Sequence, residues 1–536
     1  PDTTQSESSG LLPRIIIDQV SLLDNSFAVQ VPGSGYQSET DIRNFHAENF
    51  KLDLNTNKLS LHQVLLAQHE SKVLIKSVKT ELPVEKNIES AASDSEPFTV
   101  AIGSIRLQEN DLKYDQENEV AKVSTDFNQE HIHLKELQLL IEDFAFEGST
   151  IQGYIQHFQA KEQCGLDIQQ LSTRFVYSDT GVILNKFLFE TPSSAVDGDF
   201  KTSYESLAAI SKNPGLLGFD IKLKRMLLAS DDMKHFRNMV GTNQDVKKLL
   251  ANSIYLEGKL KGKVADLNIE NLKIETGGIR LSASGKIAGL PDPNQLLASI
   301  NLKEFSGTTK SLSGLLPAGS IPPNIAANES FILKGKLGDK KGAYTFDLAM
   351  KSSAGDLALK GNIKLLPGAN KLTYNVHAQS EGLQLDRIMM DTLYGNTVFD
   401  IQVNGRGISP ATADAQVQAF IPNVFYQGYE YKNIDLSASI AEAVIDASLK
   451  VQDSAIATEL VARYSVDSLN PLLKATVHIE KLDLQQLGFI TDTMIFKGDI
   501  TADLTNVNAR HINGTVLIPH IEISKGKNIY KLDSIS

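Results

Sequence analysis

Two histidines one residue apart, His131 and His133, are the side chains of this sequence best spaced to hold a metal. In an extended strand, alternation would put both imidazoles on one face, where they could share an ion. Two ligands are too few for a zinc site. Their neighbours Gln129, Glu130, Lys135 and Glu136 form a solvated polar stretch, so the spacing predicts no metal centre. The adjacent carboxylates Asp231 and Asp232 could do acid–base work, but they stand where a helix should begin, and N-capping accounts for them. Gly405-Arg406-Gly407 is not followed by the helix that a phosphate loop needs. The single Cys164 can form no internal disulfide and reads as a small buried hydrophobe, not a nucleophile. Paired Cys-x-x-Cys motifs, His-Glu-x-x-His, a phosphate-binding Walker loop and a Gly-x-Ser-x-Gly elbow are all absent. The expectation is a protein that is not an enzyme and has no cofactor and no metal.

Composition narrows the class further. The 536 residues carry 52 basic and 65 acidic side chains, a net charge of −13, which argues against nucleic acid as a partner. Tryptophan is absent and aromatics are 7%, which is poor material for the aromatic girdles of a membrane β-barrel. No apolar run reaches the length of a membrane helix. The polar start, Pro1 to Gly10, and the strand-like end, Ile529 to Ile535, read as a soluble piece of a longer anchored protein.

What would position any site is a repeated short strand. The pattern apolar, any, apolar, polar, Gly, polar, apolar recurs at Ile254–Leu260, Leu281–Ile287, Phe331–Leu337, Leu357–Ile363 and Met494–Ile500. A looser copy, Phe399–Gly405, shifts the glycine by two. Period-two alternation is the mark of a half-buried strand. The glycine falls on the apolar face, where it permits a bend or a close backbone approach. Further alternation is expected at Phe98–Leu107, Leu137–Ile141, Leu372–Val376 and Thr515–Ile523. A second motif changes its period from two to three, as a strand running into a helical turn would. It occurs at Leu166–Leu171, Ile300–Phe305, Leu383–Ile388 and Leu482–Leu487. Helices are expected at Ser203–Ala209, Asp231–Val240 and Asp245–Asn252.

The resulting organisation is a disordered tail 1–10, then a β segment 11–97 with a flexible excursion at 83–97. Repeats follow at 98–202, a helix-containing insertion at 203–253, and one continuous array at 254–536. The fold class is all-β, an elongated curled sheet or open solenoid with a few short helices. Repeated inward glycine favours curvature, and the inward residues are medium-sized aliphatics with almost no charge among them. The candidates for lining a hydrophobic groove are Leu256, Leu260, Leu281, Ile287, Leu333 and Leu337, with Leu359, Ile363, Ile401, Val403, Phe496 and Ile500 further along. An apolar stripe of that extent calls for a ligand, and an acyl chain matches a long groove without polar anchors.

Several stretches resemble the periplasmic TamB proteins of the AsmA-like clan, in the style found in Bacteroidota. They are Leu281–Phe305, Leu315–Gly338, Lys481–Phe489 with Phe496–Leu504, and His157–Phe175. The resemblance implies a β-taco, a curled sheet with a hydrophobic groove. It implies a bridge conducting phospholipids between the inner and outer membranes, in the periplasm of a Gram-negative cell. It further implies an inner-membrane anchor and an Omp85-type outer-membrane partner, met through parts not seen here. Two other readings stand beside it. One is an assembly factor or chaperone that holds outer-membrane polypeptides by strand addition. The other is a structural stalk with a filled β core, which should show bulky inward packing at every level.

Overall fold

The computed structural model describes residues 12–32, 34–76, 97–116, 125–241, 244–316, 320–321, 329–365, 372–409, 411–466, 471–505 and 513–536. The expected tail at 1–10 and nearly all of the excursion at 83–97 lie outside those residues. The chain is all-β with a few short helices, and it divides into two compact units, Pro1–Gly277 and Gly278–Ser536.

The first unit holds twelve strands: β1 (Arg14–Gln30), β2 (Tyr36–Asp53), β3 (Lys58–Ile75), β4 (Thr99–Gln116), β5 (His131–Glu147), β6 (Thr150–Glu162), β7 (Asp167–Ser178), β8 (Gly181–Glu190), β9 (Ala195–Ser203), β10 (Gly218–Leu228), β11 (Ile254–Lys263) and β12 (Asp266–Thr276). Each pairs with the next in sequence, and the pairs are antiparallel except β3 with β4, which run parallel. The strands bend at bulges, several of them marked by left-handed residues inside the strand, such as Asn49 (φ 54°), Gln68 (φ 52°) and Glu109 (φ 52°). The parallel seam is fastened by Asn110, whose side chain accepts from the His69 N–H at 2.8 Å and donates to the Leu66 carbonyl at 3.0 Å.

The second unit holds β13 (Ile279–Ala288), β14 (Leu297–Thr308), β15 (Ser330–Lys340), β16 (Ala343–Ser352), β17 (Gly355–Leu365), β18 (Leu372–Gln384), β19 (Tyr394–Arg406), β20 (Asp414–Tyr426), β21 (Tyr429–Ala441), β22 (Val444–Gln452), β23 (Ile456–Ser465), β24 (Leu472–Asp483) and β25 (Met494–Thr505), with three five-residue strands, β26 (Asn513–Leu517), β27 (Ile521–Lys525) and β28 (Asn528–Leu532). From β13 to β25 each strand pairs antiparallel with the next; β26 and β27 share the edge of β25, and β28 pairs with β27. Here the inward glycines do the bending. Gly285 and Gly335 take φ of 157° and 142°, and a Cβ at either would strike a carbonyl oxygen of the neighbouring strand, Ser299 or Asp347. Only glycine fits both the angle and the approach.

Several local expectations change. The alternation at Thr515–Ile523 is two strands, β26 and β27, not one, because Pro519 has no N–H to keep the ladder going. The first helix is Leu207–Lys212, not Ser203–Ala209; the Ser206 side chain accepts from the Ala209 N–H and fixes its start. Asp231 and Asp232 lie within the first turn of helix Ser230–Met233 and are not its N-cap, which is Ala229. A 3₁₀ segment, Lys234–Val240, follows, and the third helix is Gln244–Leu250. The strand-to-turn motif holds at Leu383–Ile388, where β18 enters helix Leu385–Met389. It fails at Leu166–Leu171 and Ile300–Phe305, which run on as strand in β7 and β14.

Candidate apolar groove

From β13 to β25, alternation divides most strands of the second unit into an apolar and a polar parity, and the ladder aligns the apolar parity from strand to strand. In β17, Leu357, Leu359 and Ile363 are half-buried while Lys360 is exposed. In β15, Leu333 is half-buried and Lys334 exposed. A one-residue slip would reverse every side chain, so the register matters as much as the pattern.

Following one position across the ladder gives an unbroken apolar row. It starts at Ala283–Leu302–Gly335–Leu348. It passes through Leu359, Ala378 and Ile401 to Ala419. It ends through Leu436, Leu449 and Leu460 to Val477 and Ile500. No polar side chain enters it between β13 and β25. Two residues along, a second row joins Ile300, Leu337 and Phe346, then Val376, Val403 and Val417. It then drops to alanine in five successive strands: Ala438, Ala447, Ala462, Ala475 and Ala502. The flanking rows stay large here, with Leu436, Leu449 and Leu460 on one side and Ile440, Ile445 and Tyr464 on the other. The alanine row is therefore a low track between two ridges. At about 4.8 Å per strand it runs roughly 19 Å, and at about 3.4 Å per residue its ridges stand roughly 14 Å apart.

The first unit has a row of its own. It joins Leu22, Phe45, Leu66 and Leu107, then Leu139, Phe158, Leu171 and Phe189, then Val196, Met226, Leu256 and Ile274. Every one of the twelve strands contributes an apolar residue.

The sequence-derived candidates distribute over these rows as follows. Leu256 lies in the row just given, and Leu260 in its neighbour, between Ile221 and Ile269. Leu359, Ile401 and Ile500 belong to the first row of the second unit, and Leu337 and Val403 to its second. Leu281 aligns with Phe305 and Leu333. Ile363 stands between Tyr344 and Tyr374. Phe496 faces Leu482 and Ile523. Ile287 is the least central, since its partner Ala298 stands beside Asp339, a buried carboxylate that accepts from the Gly342 N–H at 2.9 Å. Eleven of the twelve are half-buried and Leu337 is exposed. Single-strand reading missed the alanine track and the row through β1–β10, because both exist only once strands are aligned.

These faces are not a packed core. Among the described residues, the large side chains are half-covered at most positions, and the largest fully buried one is the polar Asn110. A filled interior would hide many aliphatics completely.

The opposite face meets water through cross-strand ion pairs, among them Lys273–Glu257 at 3.1 Å and Lys474–Asp503 at 3.1 Å. Such exposed pairs contribute little stability each, but they mark the solvent side. A cleft of about 720 Å³ is lined from this parity by Gln416, Ser437, Asp446, Arg463, Lys474 and Thr476. Its lining also includes Val417 and all five alanines of the track, so residues of both parities border it.

The histidine pair does not converge. His131 Nδ1 lies 2.9 Å from Asp115 and His133 Nε2 lies 2.6 Å from Asp111, so each imidazole has its own carboxylate. Burial works against the charged form of Asp115, yet hydrogen bonds from His131 and Lys113 outweigh it and hold its pKa below the usual range. No cluster of three or more metal-ligating side chains occurs among the described residues. Cys164 is buried, and burial followed by the neighbouring Glu162 pushes its thiol up to about 12. Asp232 accepts from the Thr191 and Ser194 hydroxyls, each at 2.5 Å, which ties the helical segment to the end of β8. Among the described residues no helix is long and apolar enough to cross a membrane.

No family model, no curated protein and no solved structure matches the chain.

Proposed function

We propose that this chain is a segment of a TamB-like bridge protein whose apolar rows carry phospholipid acyl chains between the inner and outer membranes. One observation carries the reading. The rows stay apolar and in register through twelve strands in one unit and from β13 to β25 in the other, and they remain half-open to solvent. Such a surface offers only burial, at about 25 cal/mol per Å². An acyl chain uses all of it, because it brings no hydrogen-bonding groups into the groove. A polypeptide would bring an N–H and a C=O per residue, and a groove lined by side chains cannot pair them. In this reading head groups stay in water beside the charged parity. In the same reading the protein works in the periplasm of a Gram-negative cell, with an inner-membrane anchor and an Omp85-type outer-membrane partner. No residue here is assigned a catalytic role.

The test is capture. A photo-crosslinking residue at Ile401 or Val403, in a full-length background, should yield phospholipid adducts from envelope preparations. Organic extraction of the purified chain should release lipid. Adducts made mainly of outer-membrane polypeptide, with no lipid, would replace this reading with the chaperone one.

A further inference from the structure

Two lines of interrupted pairing crease the first unit from β1 to β5. One runs through Asp18, Asn49, His62, Gly103 and Asp143, the other through Asp24, Arg43, Gln68, Glu109 and Glu136. The ladder skips these positions, and all of them are exposed. Bulges bend a strand, so the creases divide this part of the sheet into a floor and two walls. In β1 to β4 they stand six positions apart, as Asp18 and Asp24 do, roughly 20 Å at about 3.4 Å per residue. The parity of the apolar rows can be followed across both. The floor is apolar: beside the row Leu22–Phe45–Leu66–Leu107–Leu139 lies Val20–Ala47–Val64–Ile105–Ile141. Beyond the first crease the wall is apolar too, with Ile15, Leu52, Leu59, Val100 and Phe146 aligned. Beyond the second crease the same parity turns half polar. Asn25, Ile42 and His69 align there, then Phe27, Thr40, Ser71, Leu112 and Leu134, then Val29, Ser38, Val73, Tyr114 and Ile132.

We infer that this polar wall hydrogen-bonds the ester linkages of a diacyl glycerolipid, while the floor and the opposite wall take its acyl chains. The inference rests on the acyl-chain reading of the groove and adds a fixed orientation to it. The wall carries donors without charge. Thr40 Oγ1 lies 3.1 Å from Ser71 Oγ, and either can donate. The hydroxyls of Ser38 and Tyr114 and the ring of His69 make no hydrogen bond with the described residues. Burial lowers the His69 pKa against the opposing Asp41 charge, so the ring is neutral at pH 7. No Lys, Arg, Asp or Glu occupies this parity of the wall from β1 to β5. A phosphate calls for a cation or a nest of backbone N–H groups. An ester carbonyl leaving water needs only a neutral donor, which is what this wall offers. The charged head then stays in water above the rim.

The test uses the intact chain with a photo-crosslinking residue at Ile105, on the floor between the walls. It is mixed with vesicles holding equal amounts of dipalmitoyl and dihexadecyl phosphatidylcholine, which share chain length and head group and differ in the two ester carbonyls. Mass spectrometry of the adducts should show the ester lipid at least threefold over the ether lipid. The triple variant Thr40→Val, Ser71→Ala, Tyr114→Phe should bring the ratio to about one, with total adduct and circular dichroism unchanged. Thr40 and Ser71 are replaced together so that neither hydroxyl loses its partner alone. Should that variant fail to fold, Tyr114→Phe alone should lower the ratio at least 1.5-fold. Equal capture of the two lipids by the unsubstituted wall overturns the inference and leaves the acyl-chain reading standing. A preference that survives the triple variant also overturns it, because the ester is then read elsewhere. Capture of neither lipid at Ile105 overturns the acyl-chain reading for this unit and the inference with it.

Discussion

The two units bend their strands by different means, and the difference decides what a sequence can reveal. In the first, non-glycine residues in the left-handed region interrupt the strands: Asp24, Asn49, Gln68, Glu109, Glu136, Asp143, Lys186 and Asn271. An interruption flips the alternation. The row face of β1 runs through Val20 and Leu22, skips Asp24, and resumes at Asn25 and Phe27. In the second unit, left-handed non-glycine residues lie mostly in turns, and inward glycines such as Gly285 and Gly335 take up the bend without changing parity. A bulge hides the pattern that a glycine leaves legible.

The comparison breaks most sharply by exchanging the devices. Gly335→Val should cost about 2–4 kcal/mol, because φ near 142° is closed to a β-branched residue and the new Cβ meets the Asp347 carbonyl. Asn49→Gly should be neutral within about 1 kcal/mol, since glycine enters the left-handed region freely. Urea midpoints of the two variants measure both. Equal losses would mean that bulge and glycine are interchangeable here.

Next in size is the parallel seam, a feature only the first unit has. Asn110→Ala leaves the His69 N–H and the Leu66 carbonyl without their partner, a loss of about 1–3 kcal/mol for buried groups. Faster hydrogen exchange should centre on β3 and β4. A uniform change throughout the chain would place the role of Asn110 elsewhere.

A smaller effect sharpens the functional side of the comparison. Ala462→Leu raises the floor of the alanine track to the height of its ridges. Stability should shift by less than about 1.5 kcal/mol, as the face is open enough to take the added atoms. Lipid recovered per chain should fall about threefold, while the same quantity for Leu139→Met, a volume-conserving change in the row of the first unit, stays level. Unchanged recovery in Ala462→Leu would remove the track from the conduction path.

How much of this the sequence carried follows from the same physics. The strands of the second unit and their water-facing lysines were readable, because period two survives an inward glycine, and eleven of the twelve candidates are half-buried; Leu337, expected to be shielded like Leu333, is exposed instead. The order of strands within each row was not, since Leu359 and Ile401 are 42 positions apart in sequence and meet the same row only through Ala378. The alanine track was invisible for that reason: Ala447 and Ala462 look like weak strand residues until they are aligned. The parallel pairing of β3 with β4 leaves no local mark. The break at Pro519 was visible and could have been used.

The smallest predicted effect separates the units by sign. His69, half-buried in β3, has its pKa lowered by burial, with the Asp41 charge opposing. His478, exposed in β24, has its pKa raised, chiefly by its hydrogen bond to Asp499 at 2.6 Å. For His69 the unfolded chain takes up the proton first as pH falls through about 6.5, so its contribution is present above that pH and is lost on acidification. For His478 the folded chain holds the proton longer, so its contribution is present below about 6.5 and is lost as pH rises through the raised pKa. Moving from pH 7.5 to 5.5 should therefore loosen β3 and tighten β24 and β25. Hydrogen exchange at several pH values, corrected for the intrinsic rate, reads both in one sample. Asp499→Asn should abolish the response at β24 and leave that at β3 intact, and His69→Gln should do the reverse. A response of the same sign in both strands would show that the titration follows the net charge of the chain and not these two imidazoles.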